Sequence, residues 1–170
     1  MKPPLQFVPN EDFKDHWKEF IKPMEGYDDL LRMAESRKAN LESMCEMPIL
    51  TKEQEQYLFR QFHALKYGAN HVERRYEELK QAAAQVRNVI VLCNYKLGVG
   101  FLKNKAFSTE KFFDRLGDSS LLLCNCVDKF DFSFGYKFST YVMGSFWKVF
   151  SRADEVEQRL SKMMSFDDKL

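Results

Sequence analysis

Thr51-Lys52-Glu53-Gln54 is the stretch that most restricts what this chain can fold into, because it is a capping box opening a long amphipathic helix. The Thr hydroxyl and the Gln side chain satisfy backbone donors at a helix start. Leu58, Phe62, Leu65, Ala69 and Val72 then recur at helical spacing as one apolar stripe, while Arg60, Lys66, Arg74, Arg75, Glu77 and Glu78 populate the other faces. Gly68 weakens this helix without ending it. Composition points the same way, since 7 Gly and 5 Pro stand against many Leu, Lys, Glu, Gln and Met. An all-α fold is expected.

The 170 residues, 45% hydrophobic and 15% aromatic, suffice for one good core, so one domain with an appended terminal segment is expected. A formal net charge of +1 means that any nucleic-acid surface must be a local patch. Cys45, Cys93, Cys124 and Cys126 lie in apolar surroundings without Cys-x-x-Cys spacing, and nothing near the N-terminus resembles a signal peptide. A reducing cytoplasm is the expected location. No apolar run approaches the roughly 20 residues that cross a bilayer, so no membrane contact is expected.

The first ten residues are Pro-rich and extended, and Pro23 with Gly26 interrupts a short amphipathic patch of Trp17, Phe20 and Ile21. Residues 27–44 carry Leu30, Leu31, Met33, Ala34 and Leu41 among charges and predict one helix ending before Pro48. A further helix is expected from about Gln81 to Lys103, burying Val86, Val89, Ile90, Cys93, Leu97 and Phe101, with Gly98 and Gly100 allowing close packing. Residues 104–110 read as a loop, and Ser108-Thr109-Glu110 caps the next helix, which runs through to Val127. A turn over Asp131 to Gly135 precedes a last helix from Lys137 to about Arg152. Residues 153–170 are expected to form a solvated or frayed end.

Chemistry concentrates in the run from Val127 to Tyr141, where aromatics alternate with cations and hydroxyls. Stacked aromatics can hold unpaired bases while neighbouring cations sit on phosphates. Tyr141, Ser145, Lys148 and Arg152 share one face of the last helix, while Val142, Phe146 and Val149 share another that suits the core. Catalysis has little support. Cys124-x-Cys126 lacks nearby histidines or a second pair, so a metal site is not expected. His16, His63 and His71 are scattered, with no partnered nucleophile and no Gly-rich phosphate loop, so the chain is read as a binding protein without cofactor rather than an enzyme.

Val127-Asp128-Lys129-Phe130-Asp131 and Gly135-Tyr136-Lys137-Phe138-Ser139-Thr140-Tyr141 resemble the signature of bacterial RNA polymerase sigma factors of the sigma-70 type, in their conserved second region. Cys93-Asn94-Tyr95-Lys96-Leu97 resembles the family's Asn-Leu-Arg-Leu element, and Phe113-Asp114 through Leu121 resembles its polymerase-docking helix. Leu50 to Glu55 resembles the helix preceding that region in primary-type members, so the resemblance covers about Leu50 to Arg152. It implies a compact helical domain over 49–152; the residue pattern outside it predicts an N-terminal extension of short helices over 1–48 and a polar tail over 153–170.

The resemblance implies a transcription initiation factor that binds the clamp region of core RNA polymerase and captures the melted upstream promoter element, mainly as single-stranded non-template DNA. DNA contact falls by resemblance on Tyr136, Lys137, Phe138, Thr140, Tyr141, Trp147, Lys148 and Arg152, with Phe130 and Phe146 assigned to the core. Polymerase contact falls on Phe113, Asp114, Leu116, Asp118 and Leu121. Gly144 and Ser145 stand where the family has a Trp-Trp wedge, and Lys148 where it has a base-reading Gln. On the docking helix, Gly117 replaces a clamp-binding Gln and Ser119-Ser120 a Gly-Asn pair. No helix-turn-helix for the upstream promoter element is recognisable, so either the chain is part of a longer factor or an accessory factor supplies that recognition. The alternative is a degenerate sigma-like module that binds polymerase or a regulator without melting DNA. A phage-type minimal factor lies between the two, and either protein would work in the bacterial cytoplasm or nucleoid.

Overall fold

A computed structural model describes residues 2–36, 40–105 and 108–167, with no strand among them. The fold is all-α. Its helices are α1 (Phe13–Phe20), α2 (Tyr27–Ser36), α3 (Leu41–Met44), α4 (Lys52–His71), α5 (Tyr76–Cys93), α6 (Tyr95–Lys103), α7 (Thr109–Lys129) and α8 (Phe138–Asp167). Helix α4 is central, packing along α5 and under α1, while α6, α7 and α8 pack together beside them and α2 lies on α5.

The capping box forms as expected. Gln54 N–H donates to Thr51 Oγ1 at 3.2 Å and Thr51 N–H donates to Gln54 Oε1 at 3.0 Å. Gly68 has a positive reason to be there, since a Cβ at this position would lie 2.3 Å from the Trp17 ring. Trp17 of α1 therefore reaches the α4 backbone directly. At α7, Ser108 caps the helix by accepting from Lys111 N–H at 3.3 Å.

Four boundaries differ from expectation. The long helix opened by Thr51 stops at His71, so Val72 only caps it, Arg74 and Arg75 fall in a separate 3-10 turn, and Glu77 and Glu78 belong to α5. The helix expected over Gln81–Lys103 begins earlier and breaks at Asn94, whose Nδ2 donates to Ile90 O at 2.9 Å and whose backbone departs from helical angles. The helix expected over 27–44 ends at Ser36, and a second start follows at Asn40, an extended residue whose Oδ1 accepts Ser43 N–H at 2.7 Å; residues 37–39 lie outside the described residues. The expected frayed end from 153 instead continues α8 to Asp167, with Asp154 bonded to Lys105 Nζ at 2.7 Å; residues 168–170 of that end, and 106–107 of the expected loop, lie outside the described residues.

One hydrophobic cluster runs through the molecule, joining Phe13 and Trp17 of the N-terminal extension to Phe59 and Phe62 of α4 and to Phe146 and Phe150 of α8. The extended N-terminal residues are tied to α4 and α5 by side chains far away in sequence. Asn70 accepts from Leu5 N–H and donates to Leu5 O, both at 2.8 Å, and Tyr76 OH donates to Pro3 O at 2.8 Å. Val8 N–H donates to the Nδ1 of buried His63 at 3.1 Å. Burial pushes the His63 imidazole down to about 3, so the ring is neutral and free to accept.

Candidate nucleic-acid interface

The candidate site begins where α7 ends at Phe130. Asp131 Oδ1 accepts from Ser133 N–H at 2.9 Å and from Ser133 Oγ at 2.6 Å, winding Phe132–Phe134 into a single 3-10 turn. Gly135 follows at φ 72°, a left-handed conformation that favours glycine. Glu55 on α4 then fixes the start of α8, its Oε1 accepting Phe138 N–H at 2.8 Å. Burial pushes the Glu55 carboxyl up, while that N–H and nearby Lys137 pull it down.

This turn sorts the aromatic run. Phe130 and Phe138 close onto Phe59 with ring centroids 4.7 and 4.9 Å away, and lie 5.1 Å from each other. Phe132 is buried against His63. Phe134 and Tyr136 are turned outward, 67% and 45% exposed, and stack on each other at 5.8 Å with planes 8° apart. Half-buried Tyr141 leans on Phe130 at 5.6 Å. Tyr136, Thr140, Tyr141, Gly144, Ser145 and Lys148 together line an open depression of about 520 Å³.

Phe138 was expected to face bases, and its placement corrects that. It is 0% exposed, because the α8 phase buries Phe138, Val142, Phe146 and Phe150 at every fourth residue. The same phase corrects Val149, expected in the core and instead exposed. Phe130 and Phe146 are buried as expected. Lys137, Thr140, Trp147, Lys148 and Arg152 are exposed, but Trp147 looks toward α6 and lines a different groove.

Phe134 joins this exposed surface although neither the helix pattern nor the resemblance singles it out. A signal existed, since it lies in a turn closed by Gly135 rather than in the α8 stripe. Lys52 and Lys96 are likewise not singled out by the sequence pattern. They join Lys137 around a cavity of about 210 Å³ with Glu55 and Asn94 in its wall. Cys93 lines it too, its thiol pushed up to about 12 by burial, so it is an apolar wall rather than a nucleophile. Asp128 serves the fold: Arg87 of α5 grips it with Nε to Oδ1 at 2.9 Å and Nη2 to Oδ2 at 2.7 Å.

On α7, Phe113, Asp114, Asp118 and Leu121 are exposed along one side, around the open surface at Gly117. Leu116, expected in the same contact, is buried at 6% exposure beneath that face. Gly98 confirms close packing, since a Cβ there would meet Ser119 Oγ at 2.8 Å, whereas Gly100 borders open space.

Comparison with known protein families finds no model that matches the chain, and no solved structure matches it. Among the described residues no helix is long and apolar enough to cross a membrane.

Proposed function

We propose that the chain is a sigma-like transcription initiation factor, which joins core RNA polymerase and holds the unpaired non-template strand of a melted promoter element. The observation that carries this reading is the exposed Phe134 and Tyr136 stack beside the depression that contains Tyr141 and Lys148. Solvent-facing stacked rings cost hydrophobic free energy unless something covers them, and bases offer π-faces that do. Lys137, Lys148 and Arg152 supply cations for the phosphates, and with a net charge of only +1 such attraction comes from local groups like these rather than from the chain as a whole. The segment's resemblance to the second region of sigma-70-type factors supports the same assignment.

Polymerase docks on the exposed side of α7 through Phe113, Asp114, Asp118 and Leu121 and performs the chemistry. A second reading, a module that binds polymerase or a regulator without melting DNA, is favoured by one feature. Nothing stands within 4 Å of a Cβ placed at Gly144, so the start of α8 carries no bulky wedge there. Pull-down with core polymerase, followed by permanganate footprinting on a pre-melted template, separates the two. Co-purification with protected or trapped thymines is expected; co-purification with an unchanged footprint would leave the second reading, and failure of both would remove the sigma-like assignment.

A further inference from the structure

A second depression borders α8 on the side of α6. It is a groove of about 350 Å³ whose walls include Lys96, Phe101, Asn104, Lys105, Met143 and Trp147, and among the described residues no carboxylate lines it. Trp147 is 58% exposed and stands edge-on to buried Phe101, with centroids 5.5 Å apart and planes at 87°. The core thus sets the indole's orientation while leaving most of the ring open. Lys105 Nζ sits 5.7 Å from the indole centroid and is held by Asp154 at 2.7 Å. Lys96 is exposed at the groove's rim, with no ion-pair partner among the described residues.

We propose that this groove is a second site for single-stranded DNA, taking one unpaired nucleotide with its base against the Trp147 indole and its phosphate at Lys96. The proposal rests on the strand-capture reading above and extends it to a separate surface. A base has the flat π-face that an ordered, half-open indole accepts, and the Asn104 amide offers both a donor and an acceptor to its edge. Lys105 is taken up by Asp154, but Lys96 faces no carboxylate among the described lining residues and favours an anionic occupant. The path between the two depressions is open as well. Ser139, Met143 and Trp147 form one row on α8 and Thr140, Gly144 and Lys148 the next, so neighbouring rows border the two sites. Gly144, with nothing near its missing Cβ, leaves a low pass between them.

The chain has 2 tryptophans and Trp17 is buried, so Trp17→Phe leaves the Trp147 indole as a direct reporter of the groove. The full chain is titrated with a fluorescein-labelled oligothymidylate of roughly ten nucleotides, read together by label anisotropy and indole quenching. Both signals are expected over the same concentrations. Trp147→Ala and Lys96→Ala are each expected to weaken binding by roughly three- to tenfold. A glutamate-rich peptide of equal length is expected to leave the indole unquenched. Binding without quenching, unaffected by Trp147→Ala but weakened by Tyr136→Ala, would overturn the groove proposal alone. No binding at all would overturn it together with strand capture, and stronger quenching by the peptide would give the groove to an acidic protein partner. If Trp17→Phe does not fold, photocrosslinking a 5-iodouracil oligonucleotide to the wild-type chain replaces the fluorescence arm: adducts on Trp147 or Met143 are expected, and adducts confined to Phe134, Tyr136 and Tyr141 would overturn the groove.

Discussion

Phe138 and Phe134 are the same residue type, four positions apart, with opposite fates. Phe138 is sealed against Phe59 and Phe130, whereas Phe134 lies in solvent stacked on Tyr136. The divider is the Asp131 to Gly135 turn together with Glu55, which begins α8 at Phe138 and so assigns that ring to the buried row. Aromatic content alone therefore says little about a binding surface. Which rings remain outside is decided by where one helix starts.

The largest effect is expected on the buried side. Phe138→Ala removes a fully enclosed ring and should cost about 3–5 kcal/mol of stability, read by urea unfolding. Phe134→Ala should cost less than about 0.5 kcal/mol in the same experiment, as exposed positions do. Equal losses at the two positions would erase the distinction.

The buried side should also carry the pH dependence. His63, stacked on Phe132, has its folded pKa held at about 3, below the roughly 6.5 of an unfolded imidazole. Between those values the unfolded chain binds a proton that the folded chain does not, so stability falls as pH drops from about 6.5 toward 3, by up to about 1.4 kcal/mol per unit. Glu55, pushed up by burial, acts in the opposite sense just above its ordinary range. His63→Leu should flatten the acid slope even though it leaves Val8 N–H without its acceptor. An unchanged slope in urea unfolding across this pH range would place the proton uptake elsewhere.

The exposed face of α7 should behave like the exposed rings. Asp114→Lys with Asp118→Lys should change stability by no more than about 0.5 kcal/mol while weakening co-purification with core polymerase. Retained co-purification would point to another docking surface.

Local signals were legible in the sequence, and distant partners were not. The Thr51 capping box, the Ser108 cap and the turn at Gly135 each depend on residues within a few positions, and all three form as the residue types dictate. Placement of the extended N-terminus depends on Asn70, His63 and Tyr76, more than fifty positions away, and no local pattern announces such bonds. Gly68 reads locally as a weakness in α4 and acquires its reason only when Trp17 arrives across the helix. In the candidate site, Tyr136, Tyr141 and Lys148 come together as expected, but Phe138 and Leu116 do not, because the phase of a helix relative to its core depends on the neighbours that cover it. Phe134 differs, since the local turn at Gly135 already sets it apart from the α8 stripe.

The central claim is that the outward stack holds an unpaired strand while the inward rings hold the fold. It is tested most directly by the affinity of the chain, bound to core polymerase, for a promoter fragment with a pre-melted upstream element, compared with a fully paired fragment. Phe134→Ala with Tyr136→Ala should remove most of the preference for the melted fragment, about tenfold or more from two lost stacking platforms, with unfolding midpoint and polymerase binding unchanged. A double variant that keeps the full preference for melted DNA would contradict the account.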